Sequence, residues 1–262
     1  MGISDILELT SVSSHDGSRE EFLFHHPGGA RPVPLVVGLH TWSYNRFNQL
    51  HHMLPFCRQR GWALLLPEFR GPNLADNPRA RQACASPLAR QDILDAVETV
   101  TSEYAVDLER IFILGGSGGG HMALMMAALA PKRWKGVSAW VPITDLAAWH
   151  GENPDYAGHV AACCGGGPGQ DSATDREYRD RSPIYFIDEL SAATLSVHHG
   201  RYDDVVPYRQ SWWLAEKLEE AGAERFFFEI FNGGHDIHYE RAFDWFDALL
   251  GDEGVEAKRL TG

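Results

Sequence analysis

An α/β fold, with one mostly parallel central sheet and helices on both faces, is predicted by three observations on this 262-residue chain. Short apolar runs such as Val33–Leu39 and 62–67 are continuous rather than alternating, the pattern of strands covered on both faces. These runs alternate with longer amphipathic segments, which implies parallel strands joined by right-handed crossovers. The opening differs, because β-like runs at Ile6–Val12 and 21–25 flank the turn signal Asp16-Gly17 and read as an N-terminal hairpin.

Each element has its own warrant. Pro32 and Pro34 restrict pairing to the second half of Val33–Leu39. Residues 47–60 have helical spacing and 62–67 form a buried-strand run. Over 86–104, Ser86-Pro87 fits an N-cap followed by proline at the first helical position, and Ile93, Leu94, Val97 and Val100 share one helix face. The alternation continues as strand 110–114, helix Gly118–Leu129, strands 136–141 and 194–199, helix 208–221, strand 225–230 and helix 238–250. Residues 145–188 break the rhythm around Gly165-Gly166-Gly167-Pro168-Gly169, and are expected to form an inserted lid or pocket segment within a single domain spanning 1–262.

Lys and Arg number 23 against 36 Asp and Glu, a formal charge of −13 that argues against nucleic acid and acidic membrane surfaces as partners. The longest apolar stretch, 122–130, stops at Pro131, well short of the roughly 20 residues a membrane-spanning helix needs. The first residues lack a basic segment followed by an apolar block, so a cytoplasmic location is expected. Cys57, Cys84, Cys163 and Cys164 show no C-x-x-C spacing, which argues against a zinc knuckle and leaves open one bridge to Cys84. The pairs His25-His26, His51-His52 and His198-His199 are read as surface or packing residues, since neighbours on a strand point to opposite faces and seldom share an ion. His121, Trp140, Trp149, Trp212 and Trp213 are read mainly as packing residues.

Strand 110–114 runs into Gly115-Gly116-Ser117-Gly118-Gly119-Gly120 and then an apolar helix, the setting of a G-x-S-x-G nucleophile elbow. No Gly-Lys-Ser/Thr follows, which disfavours a phosphate loop. A serine hydroxyl is a weak nucleophile near neutrality and needs a base held by an acid. Candidates follow in the order acid then histidine, each after a strand: Asp203 or Asp204, then His235 in Gly233-Gly234-His235-Asp236. The flanking glycines favour His235 over His198, His199 and His238, because they free the loop to carry a side chain over the sheet. Spacing alone does not separate Asp203 from Asp204. For the oxyanion, the donors expected are the backbone N–H of Gly118 and that of Trp42 in the loop Leu39-His40-Thr41-Trp42-Ser43-Tyr44, with Thr41 and the Tyr44 hydroxyl as alternatives.

With these residues the chain resembles the prolyl oligopeptidase-type branch of the α/β-hydrolases, which includes serine peptidases, acyl-aminoacyl peptidases and sugar or xylan acetylesterases. The resemblance covers about 30–250 and rests on Gly115-Gly116-Ser117-Gly118-Gly119 with His121-Met122-Ala123, Ser182-Pro183-Ile184, His199-Gly200 with Asp203 and Val206-Pro207, and Gly234-His235. It implies an α/β-hydrolase fold and selects Asp203 as the acid. The family's large peptidases carry an N-terminal β-propeller; this chain is expected to lack one, and free access then favours small esters. The usual Gly-rich oxyanion loop is replaced by His40-Thr41-Trp42-Ser43.

The expected function is therefore a serine esterase of the acetylesterase or carboxylesterase type, working through an acyl-enzyme with Ser117, Asp203 and His235 and needing no metal or organic cofactor. The alternatives are a small prolyl oligopeptidase-like peptidase and a non-catalytic binding protein. The partner expected is a small-molecule ester, self-association into a homo-oligomer being left open. Substrate contacts are expected from Tyr44, Trp149, Tyr178 and Arg179, with Tyr156 and Arg181 as further lid candidates.

Overall fold

The structure, a computed structural model, describes residues 5–260, the backbone alone for 252–260. Its centre is an eight-stranded sheet in the order β1-β2-β4-β3-β5-β6-β7-β8. The strands are β1 (Ile6–Val12), β2 (Arg19–His25), β3 (Val33–Leu39), β4 (Ala63–Pro67), β5 (Val106–Gly116), β6 (Gly136–Trp140), β7 (Leu195–Gly200) and β8 (Phe226–Phe231). The β1–β2 and β2–β4 pairs are antiparallel and every other pair is parallel, as the hairpin signal and the strand-helix alternation require.

Continuous apolar strands serve two cores at once. Leu35, Val37, Leu39, Ile111 and Ile113 feed one cluster with the helices α2 (Pro87–Glu103) and α3 (Gly118–Leu129), while Val36, Phe112 and Leu114 point the other way, towards α1 (Leu50–Arg60) and α9 (Tyr239–Leu260). The register of β3 shifts between Val33 and Leu35, so Pro34, which has no N–H to donate, is left out of the ladder. At α2 the Ser86 hydroxyl accepts the Ala89 N–H at 3.1 Å, the expected cap. Strand β5 starts at Val106, earlier than its apolar pattern begins, because Val106 pairs across to Val33; β3 therefore pairs at its first residue too, not in its second half alone, since within it only Pro34 lacks the N–H.

Residues 145–188 are largely helical, with α4 (Leu146–Glu152), α5 (Pro154–Cys164), α6 (Ser172–Asp180) and the start of α7 (Ile187–Ser191), followed after β7 by α8 (Arg209–Glu220). Trp212 and Trp213 differ from the packing role expected of them: they are 44% and 41% exposed, because α8 buries the face carrying Gln210, Ser211, Leu214 and Leu218. All four cysteines are free and buried, with Cys84, Cys163 and Cys164 in one cluster. Among the described residues no helix is long and apolar enough to cross a membrane.

The hairpin is tied down by a buried ion cluster. Arg70 Nε donates to Asp92 Oδ2 at 2.5 Å, its Nη1 reaches Asp16 Oδ2 at 2.9 Å, and Glu20 lies at 3.5 Å. Arg70 and Asp92 are both 1% exposed. Removing one partner leaves the other charge desolvated and unpaired, so Arg70→Met is expected to lower stability by about 3–5 kcal/mol. The check is a lower urea midpoint at unchanged slope; a midpoint equal to the parent's refutes the coupling.

Candidate active site

Strand β5 ends at Gly116 and α3 begins at Gly118, leaving Ser117 between them with φ +57° and ψ −123°. A non-glycine residue in this region is strained by order 1–3 kcal/mol, and the surroundings hold it there. The Ser117 N–H donates to the Trp140 carbonyl at 2.8 Å, and the Ser117 carbonyl accepts the His121 N–H at 2.9 Å. Bulk is excluded on both sides of the elbow. A Cβ on Gly115 would sit 2.1 Å from the Gly119 carbonyl oxygen, and one on Gly118 would sit 2.7 Å from the Trp42 nitrogen. The second contact puts the backbone nitrogens of positions 42 and 118 in one neighbourhood, as an oxyanion hole requires. Thr41, the alternative donor, spends its N–H on Asn48 Oδ1 at 3.0 Å.

The carboxylate comes from the turn after β7. Asp203 Oδ1 accepts the N–H groups of Val205 and Val206, both at 2.9 Å, and Oδ2 accepts His235 Nδ1–H at 2.7 Å. Asp204 is exposed. A fourth N–H, that of His199 Nε2, is shared: it reaches the Val206 carbonyl at 2.8 Å and lies 3.2 Å from Oδ2, and the Asp203 side chain is fully buried. Burial alone would raise its pKa, but the hydrogen bonds from His199 and His235, the His235 charge and the Val206 N–H outweigh it and hold the carboxyl well below the ordinary range.

His235 sits on the loop after β8, and its side chain is 22% exposed. That loop crosses the elbow: a Cβ on Gly116 would meet Ile237 Cδ1 at 2.2 Å, and one on Gly200 would meet the Gly234 carbonyl oxygen at 1.9 Å. The competing histidines are committed elsewhere. His199 is fully buried, with Nδ1 on Ser211 Oγ at 2.7 Å and Nε2 on the Val206 carbonyl at 2.8 Å. His198 is held by Ser196 and Glu229, His238 stacks on Trp140, and His121 Nε2 lies 2.6 Å from the Arg181 carbonyl oxygen. Burial pushes His121 down to about 4, consistent with a packed, neutral ring.

The expected substrate contacts fall in different places. Tyr44, in the Trp42 loop, is 60% exposed. Trp149 has no exposure: its ring meets Trp42 edge-on at 4.8 Å and its Nε1–H donates to the Val205 carbonyl at 2.9 Å. Tyr178 is also interior, its hydroxyl donating to the Gly166 carbonyl at 3.0 Å, so both serve the inside of the inserted segment. Arg179 is exposed and lies over the Tyr185 ring. Arg181 is buried and donates to the backbone carbonyls of Arg81, Ala83 and Cys84, which leaves it no free edge for a substrate. Sequence reasoning missed His199 as a second anchor of Asp203; its place four residues before the acid was the available signal.

A cavity of about 1080 Å³, lined by Leu108, Trp134, Arg225, Phe226 and Trp245 among others, opens at the N-terminal ends of the parallel strands, the opposite edge from Ser117. Ligands of open α/β sheets bind at the carboxyl ends of strands, so the converging groups at Ser117, rather than this cavity, mark the candidate site.

A model of the prolyl oligopeptidase family matches residues 49–253. Acylamino-acid-releasing enzyme 1 of Oryza sativa subsp. japonica is 26% identical over 203 residues, covering 73% of this chain and 26% of that protein. The chain thus spans about a quarter of the length of the curated relatives it first matches. Among solved structures, the acylaminoacyl peptidase of Pyrococcus horikoshii superposes with a TM-score of 0.69 at 18% identity, over 88% of this chain and 37% of that one. A puromycin hydrolase gives 0.76 at 17% identity, over 94% and 39%. At such identities the superpositions speak to the fold alone, which is that of an α/β-hydrolase.

Proposed function

This chain belongs to the prolyl oligopeptidase family, and from that membership and the geometry of its site we propose that it is a serine peptidase acting on short peptides with a blocked N-terminus. Ser117 Oγ attacks the scissile carbonyl, and His235 Nε2 takes the hydroxyl proton. Asp203 keeps the imidazole proton on Nδ1 and stabilises the imidazolium that forms. The N–H groups of Gly118 and Trp42 receive the oxyanion. The imidazolium then protonates the leaving amine, an acyl-enzyme remains on Ser117, and water activated by the same imidazole releases the acid. Tyr44 stands at the rim as a substrate contact, Trp149 acts through the Trp42 loop on which it packs, and residues 145–188 form the wall or lid above the site.

One observation carries the reading: the 2.7 Å contact of His235 Nδ1 with the buried Asp203 carboxylate, on a loop whose Ile237 lies against the glycine preceding Ser117. Peptide bonds are placed ahead of the esters expected from the sequence, a reading supported by relatives named acylamino-acid-releasing enzymes and by one named an uncharacterized peptidase. The ester expectation rested on unfiltered access to the site, which no residue contact supports.

The test is a pair of rates. An N-acetyl-aminoacyl p-nitroanilide is expected to be cleaved with a higher kcat/KM than the matched aminoacyl p-nitroanilide with a free amine. p-Nitrophenyl acetate is expected to turn over as well, since any competent acyl-enzyme system cleaves an activated ester. Turnover of the ester with no cleavage of either anilide would return the esterase reading.

A further inference from the structure

Trp140, the last residue of β6, touches both halves of the site, one through its backbone and the other through its ring. Its carbonyl accepts the Ser117 N–H at 2.8 Å. Its fully buried indole lies 5.2 Å from the ring of His238, on the loop that carries His235. The indole is in turn held by polar groups that the reaction does not use. Trp140 Nε1–H donates to Ser138 Oγ at 3.0 Å, Ser138 and Ser196 share a hydrogen bond at 3.2 Å, and Ser196 Oγ lies 2.6 Å from His198 Nε2. His198 Nδ1 reaches Glu229 Oε2 at 3.0 Å, and Arg241 donates to the same oxygen at 2.5 Å. The chain closes on itself, because the His198 ring stacks on the indole at 3.9 Å and 6°.

The donors and acceptors run in one direction. An ionised Glu229 accepts from Nδ1, so Nε2 of a neutral His198 accepts from the Ser196 hydroxyl. Ser196 then accepts from Ser138, and Ser138 accepts from the indole. Ser138, Ser196 and His198 are buried, so each of these bonds replaces a desolvation cost that a missing partner would expose. Register supplies the geometry: Ser138 pairs with Ser196, Trp140 with His198, and His198 with Glu229 across β6, β7 and β8.

We infer that the Glu229–His198–Ser196–Ser138 ladder is a positioning device for the proposed reaction, fixing Trp140 so that its carbonyl holds the Ser117 elbow and its ring holds the His235 loop. The inference rests on Ser117 being the nucleophile. None of the four residues touches substrate; they act through Trp140. A nucleophile displaced by a fraction of an ångström loses rate without losing substrate affinity, so the signature is a fall in kcat at constant KM.

The experiment uses the full chain and the variants His198→Phe, Glu229→Leu and Glu229→Gln. Two readouts are taken: hydrogen exchange at the Ser117 amide, and steady-state kinetics on the p-nitroanilide or ester that the parent cleaves. His198→Phe keeps a ring against the indole but removes both nitrogens. It is expected to speed Ser117 exchange and to cut kcat about tenfold or more with KM within about twofold, by the sensitivity of positioned nucleophiles to small displacements. The Glu229 side chain is 29% exposed, so its variants are expected to disturb packing less than His198→Phe and keep the test readable should that variant fail to fold. Glu229→Leu is expected to follow His198→Phe in direction, while Glu229→Gln, whose amide oxygen still accepts from Nδ1, returns both readouts towards the parent. Ser117 exchange and kcat that stay parental in His198→Phe and Glu229→Leu, even with a lower Tm, reduce the ladder to packing and overturn the inference. Failure of Glu229→Gln to rescue overturns it equally. A parent that neither cleaves these substrates nor takes up a fluorophosphonate defeats the peptidase reading instead, and the exchange measurement then decides the ladder by itself.

Discussion

Ser117→Ala is expected to lower kcat by about 10⁶ with the fold intact, the scale seen when a triad nucleophile is removed. The substitution deletes one oxygen at a residue 7% exposed. The backbone bonds of Ser117 to the Trp140 carbonyl and the His121 N–H do not depend on the side chain. The circular dichroism spectrum and the urea midpoint should therefore match the parent while hydrolysis and fluorophosphonate labelling disappear. Position 117 also separates activity from stability. With φ at +57° it is a site where glycine relieves strain, so Ser117→Gly should be as inactive as Ser117→Ala yet unfold at a higher urea concentration. Hydrolysis by purified Ser117→Ala within tenfold of the parental rate would move the nucleophile elsewhere in the molecule.

How much of this was legible in the sequence depends on how local each signal is. The β-strands announce themselves because burial on both faces demands unbroken apolar runs, as in Leu35-Val36-Val37, whose side chains feed two different cores. Pro34 marks its own exclusion from the ladder, since the missing donor is a property of the residue. The elbow is legible for a steric reason: Gly115 and Gly118 are places where a Cβ would strike backbone. Helices α4, α5 and α6 were hidden inside a stretch expected only as an insertion, although their caps stand in the sequence. Asp145 accepts from Ala147 and Ala148, Asn153 from Asp155 ahead of Pro154's helix, and Asp171 from Ala173 and Thr174. Glycine-rich 165–169 drew attention to the loop and away from these signals.

Longer-range relations were less accessible. Trp149 and Tyr178 look like pocket residues in an aromatic, irregular segment, but they are buried in a cluster with Trp42, Cys84 and Val206, which lie outside that segment of the chain. Trp212 and Trp213 erred in the other direction, because aromatic character suggests burial and only the docking of α8 on its Leu214 and Leu218 face decides it. Likewise, strand alternation puts the two histidines of the 198-199 pair on opposite faces, but nothing local says which face each takes: His198 the Trp140 side and His199 that of α8.

Asp203→Asn is the second large effect, and its cause is a conflict of donors. In the parent, all four groups directed at the carboxylate are donors: the N–H groups of Val205 and Val206 on one oxygen, and His235 Nδ1 and His199 Nε2 on the other. An amide has a single acceptor oxygen. If its NH₂ faces His235, the imidazole must accept at Nδ1, its proton moves to Nε2, and no lone pair remains there to take the Ser117 proton. If the NH₂ faces the turn instead, it opposes two backbone N–H groups and loosens the loop that aims the side chain. Either orientation is expected to lower kcat about 10⁴-fold, as wrong-tautomer substitutions do in other triads. Asp204→Asn next door, on an exposed residue, should leave kcat at the parental level. The variant should also change the acid limb of stability. Because folding depresses the pKa of Asp203, its carboxylate contributes stability above the unfolded value of about 4, and that contribution fades as the pH falls towards the folded value. Asp203→Asn removes the titrating group, so between about pH 5 and pH 2 its urea midpoint should fall less steeply than the parent's. Parallel acid limbs in the two proteins, or an Asp203→Asn enzyme within tenfold of parental kcat, would mean that this carboxylate neither gains from its four donors nor orients His235.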